Sequence, residues 1–177
     1  MNRLSSRVQD AQKFRLMAVL AHPDDESLGF GGTLARYSAE EVETYLVTAT
    51  RGERGRFFSP DRKTEPAEVG RVREAELREA AAVLGVREVL ILGYPDGAVD
   101  QIDAATAIAA IVQQIRRVRP HVVVTFGPDG AYGPQSRSSR RPLSCVPRCR
   151  LWCQGRLPRW PVFCSSNCQA LQPGMAK

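Results

Sequence analysis

Six consecutive residues, Ala21-His22-Pro23-Asp24-Asp25-Glu26, place one imidazole beside three carboxylates within a single turn of chain. Imidazole nitrogen and carboxylate oxygen both ligate a borderline cation such as zinc, and a catalytic zinc takes about three protein ligands while keeping one position open for water. His22 and Asp25 are the candidate metal ligands, two of that set. Asp24 lies beside them on a different face of the turn, where an uncoordinated carboxylate can act as general base toward water. A purely structural account has the acids complementing the amino-terminal dipole of a following helix, with Pro23 at its start. That account serves any one of the acids alone; the six residues together, between a strand and a helix, point to a metal.

The elements that must hold this stretch follow from the pattern around it. Leu16 to Ala21 is a short aliphatic run bounded by Pro and then by the glycine-rich Leu28 to Thr33, which reads as a buried strand. A helix is expected over Leu28 to Tyr37, a second strand over Thr44 to Thr50, and a long helix over Ala67 to Leu84. A third strand over Val89 to Leu92, a helix over Ile102 to Val118 and a fourth strand over Val122 to Phe126 complete the series. Asp100 with Asp103 is the expected cap of that last helix. Alternating strands and helices predict an α/β fold, a Rossmann-like parallel sheet with right-handed crossovers and helices on both faces, here ending after its fourth strand. Ligands in such a sheet bind at the carboxyl ends of the strands, where the first strand delivers the acidic stretch.

Ala-His-Pro-Asp-Asp-Glu after a buried strand resembles the first signature of the PIG-L/LmbE-like zinc-dependent N-deacetylases, over about residues 14–133. The resemblance implies zinc or another divalent metal, and removal of an acetyl group from an N-acetylglucosamine-type unit. It also gives weight to three loops and one helix. Thr50-Arg51-Gly52-Glu53, after the second strand, is similar to a stretch often near the family's site, although a charged, glycine-punctuated segment is equally read as a solvated loop. Gly93-Tyr94-Pro95-Asp96-Gly97 reads as a turn by itself. The resemblance puts Asp96 at the pocket rim, bonding sugar hydroxyls or orienting a catalytic group. On the long helix, Arg73 and Glu76 continue the apolar stripe of Leu77, Ala80, Ala81 and Leu84. Because a crossover helix runs antiparallel to its strands, Arg73 is expected near the catalytic edge. Its alternatives are a snorkelling side chain or a partner for Glu76 or Glu79; Arg-x-x-Glu resembles the family pattern, which favours substrate binding. Tyr132, in the loop after the fourth strand, joins Arg73 and Asp96 as a candidate substrate-binding residue.

That loop, Thr125 to Gly133, is where the resemblance stops. The family continues into Gly-His-Pro-Asp-His, whose last His is the third ligand, but here Pro134-Gln135-Ser136-Arg137 follows. The other histidine of the chain, His121, falls at the opposite end of the fourth strand. Residues 134–177 hold all five Cys, both Trp, eight Lys+Arg and no acid, giving +8, whereas residues 1–133 hold 17 Lys+Arg and 19 Asp+Glu, giving −2. The basic character thus belongs to the tail, so the overall charge says little about what the body binds. Within the groups Cys145, Cys149, Cys153 and Cys164, Cys168 each gap has three residues between, so no Cys-x-x-Cys occurs, which argues against a zinc knuckle. No amphipathic periodicity supports a nucleic-acid or membrane tail. Abundant Arg, Pro, Ser, Cys and Trp match a GC-rich gene read out of frame, so the tail is expected to be a frame-shift product without selected packing.

The expectations are therefore an incomplete deacetylase domain over residues 1–133 and an atypical basic tail over 134–177. The function is a metal-dependent N-deacetylase of a small acetamido-sugar, impaired by loss of the second metal-binding motif. The competing reading is an inactive remnant or a Rossmann-type binding module; Gly29-Phe30-Gly31-Gly32 is not Gly-x-Gly-x-x-Gly, and the acids before it would repel a pyrophosphate. No apolar run approaches the ~20 residues of a membrane span, and no apolar centre of a secretion signal precedes residue 13. A cytoplasmic protein without a nucleic-acid partner is the default.

Overall fold

A computed structural model of the chain describes residues 13–55 and 65–126 together with the backbone of 162–164. β1 (Arg15–Leu20) leads into α1 (Asp25–Ala39), then β2 (Glu43–Thr48), α2 (Pro66–Val83) and β3 (Glu88–Ile91). A 3-10 turn (Val99–Gln101), α3 (Ala104–Val118), β4 (Val122–Thr125) and β5 (Val162–Cys164) follow. The sheet runs β3-β2-β1-β4-β5 and every pairing is parallel. The chain thus winds outward from β1 in one direction through β2 and β3, then returns to its other side with β4. That reversal creates a crevice beside the carboxyl end of β1, the place where open α/β sheets bind ligands.

β1 is apolar on both faces because both are covered. Leu16, Ala18 and Leu20 pack with Phe30 and Leu34 of α1 and Leu77 of α2, whereas Met17 and Val19 pack with Ile111, Ile115 and Val118 of α3. A strand buried on both faces reads as a continuous apolar run rather than an alternation. At about 25 cal/mol per Å² of apolar surface, these two layers are the main stabilising term of the fold. They hold β1 with its last residue, Leu20, 2% exposed, immediately before the acidic stretch.

Two expectations are adjusted. α1 begins at Asp25 rather than Leu28, so Asp25 and Glu26 form its first turn. The reason is a local bond: Glu26 Oε2 accepts from the Asp24 backbone N–H at 3.1 Å, satisfying one of the donors that a helix start orphans. The second adjustment concerns the expected end of the sheet at its fourth strand. Val162–Cys164 pairs with Val123, Val124 and Thr125, adding a parallel fifth strand. The open edge of β4 offers unpaired backbone groups, and a Val-Phe-Cys run after Pro161 has the β-branched and aromatic character that such an edge accepts.

Candidate active site

The site is built from three loops at the carboxyl edge of β1, β2 and β3. Asp25 Oδ2 accepts from the backbone N–H groups of Ala21 at 3.2 Å and His22 at 2.9 Å, which turns this carboxylate back over the end of β1. Asp25 is only 7% exposed, and its burial pushes its carboxyl above the usual carboxylate range, against the lowering effect of those two donors and of His22. His22 Nδ1 lies 3.9 Å from the same Oδ2. Its Nε2 lies 3.3 Å from Asp96 Oδ1, and this hydrogen bond is the chief cause that raises the imidazole above its ordinary value, with burial opposing it. The same bond holds the Asp96 carboxyl below the usual range.

Asp24 takes a different course. It sits at the cap position of α1 with φ 86°, a left-handed conformation that costs a residue with a Cβ about 1–2 kcal/mol, and its side chain makes no capping bond. Instead Asp24 Oδ2 accepts from Arg73 Nη2, which also reaches the Pro23 carbonyl at 3.4 Å. Arg73 Nη1 donates to Glu76 Oε2 at 3.2 Å, and Asp24 is the largest cause of the rise in the guanidinium pKa. Glu76 itself is 55% exposed at its side chain, so the inward-facing stripe of α2 reaches back to Arg73 without including it.

The loop after β2 closes on this pair. Gly52, with φ 73°, lies where a Cβ would stand 3.3 Å from Pro23 Cδ and 3.6 Å from Arg73 Nε, so glycine lets the backbone approach both. Thr50 Oγ1 accepts from the Gly52 N–H at 3.2 Å and donates to the Ala21 carbonyl at 3.3 Å, tying this loop to the end of β1. Two buried polar atoms here lack a partner among the described residues: Glu53 Oε2 and Arg73 Nε.

His22, Asp24, Asp25, Arg73 and Asp96 are therefore brought to one edge of the sheet, and Tyr132 lies outside the described residues. Two contributors were not singled out from the sequence for the tasks they have. Glu26, 1% exposed, positions the Asp24 backbone, and the Arg54 N–H donates to Asp96 Oδ2 at 3.0 Å. The Thr-Arg-Gly-Glu stretch signalled the loop that carries Arg54, but nothing local signals Glu26's bond. His121 accepts at Nδ1 from the Arg15 N–H at 3.1 Å and packs edge-on to Phe14, at the end of the sheet remote from His22. Among the described residues no group of three or more His, Cys, Asp or Glu side chains is placed to hold a metal ion. His22 and Asp25 nonetheless have the donor chemistry of a zinc site, one imidazole nitrogen and one carboxylate whose orientation the backbone fixes.

Residues 17–137 match the family model described as GlcNAc-PI de-N-acetylase, PIG-L. A 1D-myo-inositol 2-acetamido-2-deoxy-alpha-D-glucopyranoside deacetylase of Acidothermus cellulolyticus is 41% identical over 138 residues, covering 67% of this chain and 47% of that protein. The chain spans about half the length of the curated relatives it matches. Among solved structures, the N,N'-diacetylchitobiose deacetylase of Pyrococcus horikoshii superposes with a TM-score of 0.64 at 24% identity, covering 75% of this chain and 47% of that one. A 4-carboxy-2-hydroxymuconate hydratase of Pseudomonas putida KT2440 gives 0.65 at 19% identity, covering 85% and 65%. Likeness at these identities speaks for the fold, and the hydratase shows one scaffold carrying different reactions.

Proposed function

The chain belongs to the PIG-L family, and from that premise we propose a metal-dependent N-deacetylase acting on a small acetamido-sugar. The observation that carries this reading is the division of labour between adjacent acids. Asp25 is buried, bonded to two backbone N–H groups and set beside His22, whereas Asp24 is 54% exposed at its side chain and held by Arg73. One acid is placed to ligate and the next to handle a proton. His22 and Asp25 would hold a divalent cation, which when bound supplies Lewis acidity toward the attacking water and the amide carbonyl. Asp24 accepts the proton of that water. Arg73, anchored on Asp24, places a fixed positive charge next to the carbon under attack, where negative charge develops on the amide oxygen. Arg73 and Asp96 line the approach, and Tyr132 joins them as a substrate-binding candidate.

The third ligand is the gap in this reading. Two protein ligands hold an ion less firmly than three, so the chain as it stands is a weak metal binder and a poor deacetylase. The segment from residue 134 onward, without a histidine, is the source of the defect and reads as an out-of-frame product. The relatives' substrates point to an N-acetylglucosamine unit as the group recognised. A nucleotide-binding module is disfavoured because Gly29, Gly31 and Gly32 lie inside α1, whose first turn carries Asp25 and Glu26, rather than in a loop that could cradle phosphate.

The test combines metal analysis with hydrolysis of N-acetylglucosamine-type substrates. Asp24→Asn is expected to keep metal binding nearly intact and lose the residual hydrolysis, because an amide cannot take the proton. Equal rates in the two proteins would remove Asp24 as the base. Tightly held, stoichiometric zinc that survives His22→Ala would overturn the metal site itself.

A further inference from the structure

We propose that Glu53 is a positioning residue of Arg73, its carboxylate serving the Nε edge of the guanidinium while Asp24 and Glu76 serve the other corners. The proposal rests on the role given to Arg73 in the deacetylase reading above.

An arginine presents its N–H donors in a rigid planar fork, so its aim is set by where each edge finds an acceptor. Arg73 Nη2 donates to Asp24 Oδ2 and reaches the Pro23 carbonyl at 3.4 Å, and Nη1 donates to Glu76 Oε2 at 3.2 Å. The Nε–H points from the third edge, buried and without an acceptor among the described residues. Glu53 Oε2 is its complement, a buried carboxylate oxygen without a donor. Leaving either group unpaired away from water is costly, and burial leaves each no competitor for the other.

The fold brings the two to one corner. The Gly55 N–H donates to the Gly52 carbonyl at 2.9 Å, closing a tight turn with Glu53 at its second position. Both glycines of that turn flank the guanidinium: a Cβ on Gly52 would stand 3.6 Å from Arg73 Nε, and one on Gly55 3.4 Å. The Glu53 side chain leaves the turn toward α2, where a Cβ on Gly70 would stand 2.9 Å from its Cγ, too close for any side chain. Gly70 precedes Arg73 on α2 by about one helical turn, so the face that receives Glu53 is the face that carries Arg73. Three glycines thus clear one space for a carboxylate and a guanidinium, whose opposite charges attract strongly where water is excluded.

The consequence is for the aim of the Arg73 charge. Glu76 is 55% exposed at its side chain and screened by water, so it restrains the fork little. Asp24 holds one end. A buried anion behind Nε stops the fork from pivoting about that end, which keeps the positive charge where Arg73 is required to meet the amide oxygen. Glu53 itself acts through Arg73 and does not touch substrate.

The experiment uses the 177-residue chain, wild type and with Glu53→Gln, Glu53→Ala or Arg73→Lys. Nitrogen-15 spectra of the arginine side chains, with the Arg73 signal identified by its loss in Arg73→Lys, read the Nε–H shift and its exchange with water. Wild type is expected to show a downfield, protected Nε–H. Exchange should accelerate by about 10-fold or more in Glu53→Ala, and by less in Glu53→Gln, which keeps an acceptor without its charge. The Gly55 backbone amide, bonded within the turn, should keep its protection in both variants. An Arg73 Nε–H that exchanges freely in wild type overturns the proposal, as does one that neither variant changes. Joint loss of the Nε–H and Gly55 protection also overturns it, since Glu53 would then merely hold the turn. Should Glu53→Ala prevent folding, Glu53→Gln decides alone. Hydrolysis of an N-acetylglucosamine-type substrate should show a lower kcat with KM little changed in the Glu53 variants. If wild type hydrolyses no such substrate, the deacetylase reading fails, while the Nε–H spectra still decide whether Glu53 positions Arg73.

Discussion

α1 and α3 both begin at an aspartate, and the two starts are used in opposite ways. At α3, Asp103 Oδ2 accepts from the Thr106 N–H at 2.8 Å and from the Thr106 hydroxyl at 2.8 Å, with Asp103 in ordinary backbone geometry. That is a cap: the side chain repays a donor that the helix leaves orphaned. At α1, Asp24 occupies the same position but is twisted to φ 86°, makes no cap and turns its carboxylate to Arg73. The capping falls to Glu26, and Asp25 turns back to the strand. An acid at a helix start is ordinarily explained by the helix. At α1 that explanation accounts for Glu26 and leaves Asp24 and Asp25 without a capping role.

The largest test of this contrast is to remove the buried acids of α1. Asp25→Ala leaves the Ala21 and His22 N–H groups without their acceptor in a buried setting, a loss of about 1–3 kcal/mol in chemical denaturation, together with metal binding. Glu26→Ala should cost a similar amount by orphaning the Asp24 N–H, whereas Glu26→Gln, which keeps an acceptor, should cost much less. Wild-type stability in both alanine variants would mean that these bonds do not organise the helix start.

A smaller effect of opposite sign is expected at Asp24. Glycine adopts positive φ without penalty, so Asp24→Gly should raise stability by about 1 kcal/mol while eliminating hydrolysis. Stability gained where activity is lost would mark the twist as a functional cost; a loss of stability would show that the Arg73 contact outweighs it. The smallest effect belongs to Asp103, where alanine should lower the melting temperature slightly. The bonds from Thr106 hold the Asp103 carboxyl below the usual carboxylate range. A depressed pKa stabilises the fold above the unfolded-state value, and that contribution is lost as pH falls through the folded value. The gap between wild type and Asp103→Ala should therefore close in acid. A gap independent of pH would rule out the charged cap.

Much of this was legible in the sequence because it is written locally. The apolar run of β1, the alternation of strands and helices, the Asp103 cap and the crowding of His22, Asp24 and Asp25 all depend on neighbours within a few positions. Their spacing implied an α/β sheet with a metal-like site at the end of its first strand. Local pattern also misplaced what distant contacts decide. Helix periodicity started α1 at Leu28, since the carboxylate of Glu26 bending back to Asp24 leaves no periodic trace. The tail's composition gave no sign that Val162–Cys164 would pair with β4.

The sequence alone determined which chemical groups this protein has and which strand end carries them. Only the tertiary structure decided how those groups are partnered. Asp24 meets Arg73 across 49 residues and Asp96's turn is bonded to Arg54 across 42, because parallel crossovers bring the loops after β1, β2 and β3 to one edge. What a carboxylate can do there depends on its burial and on the donors aimed at it. Those are properties of the packed sheet edge, and no window of neighbouring residues contains them.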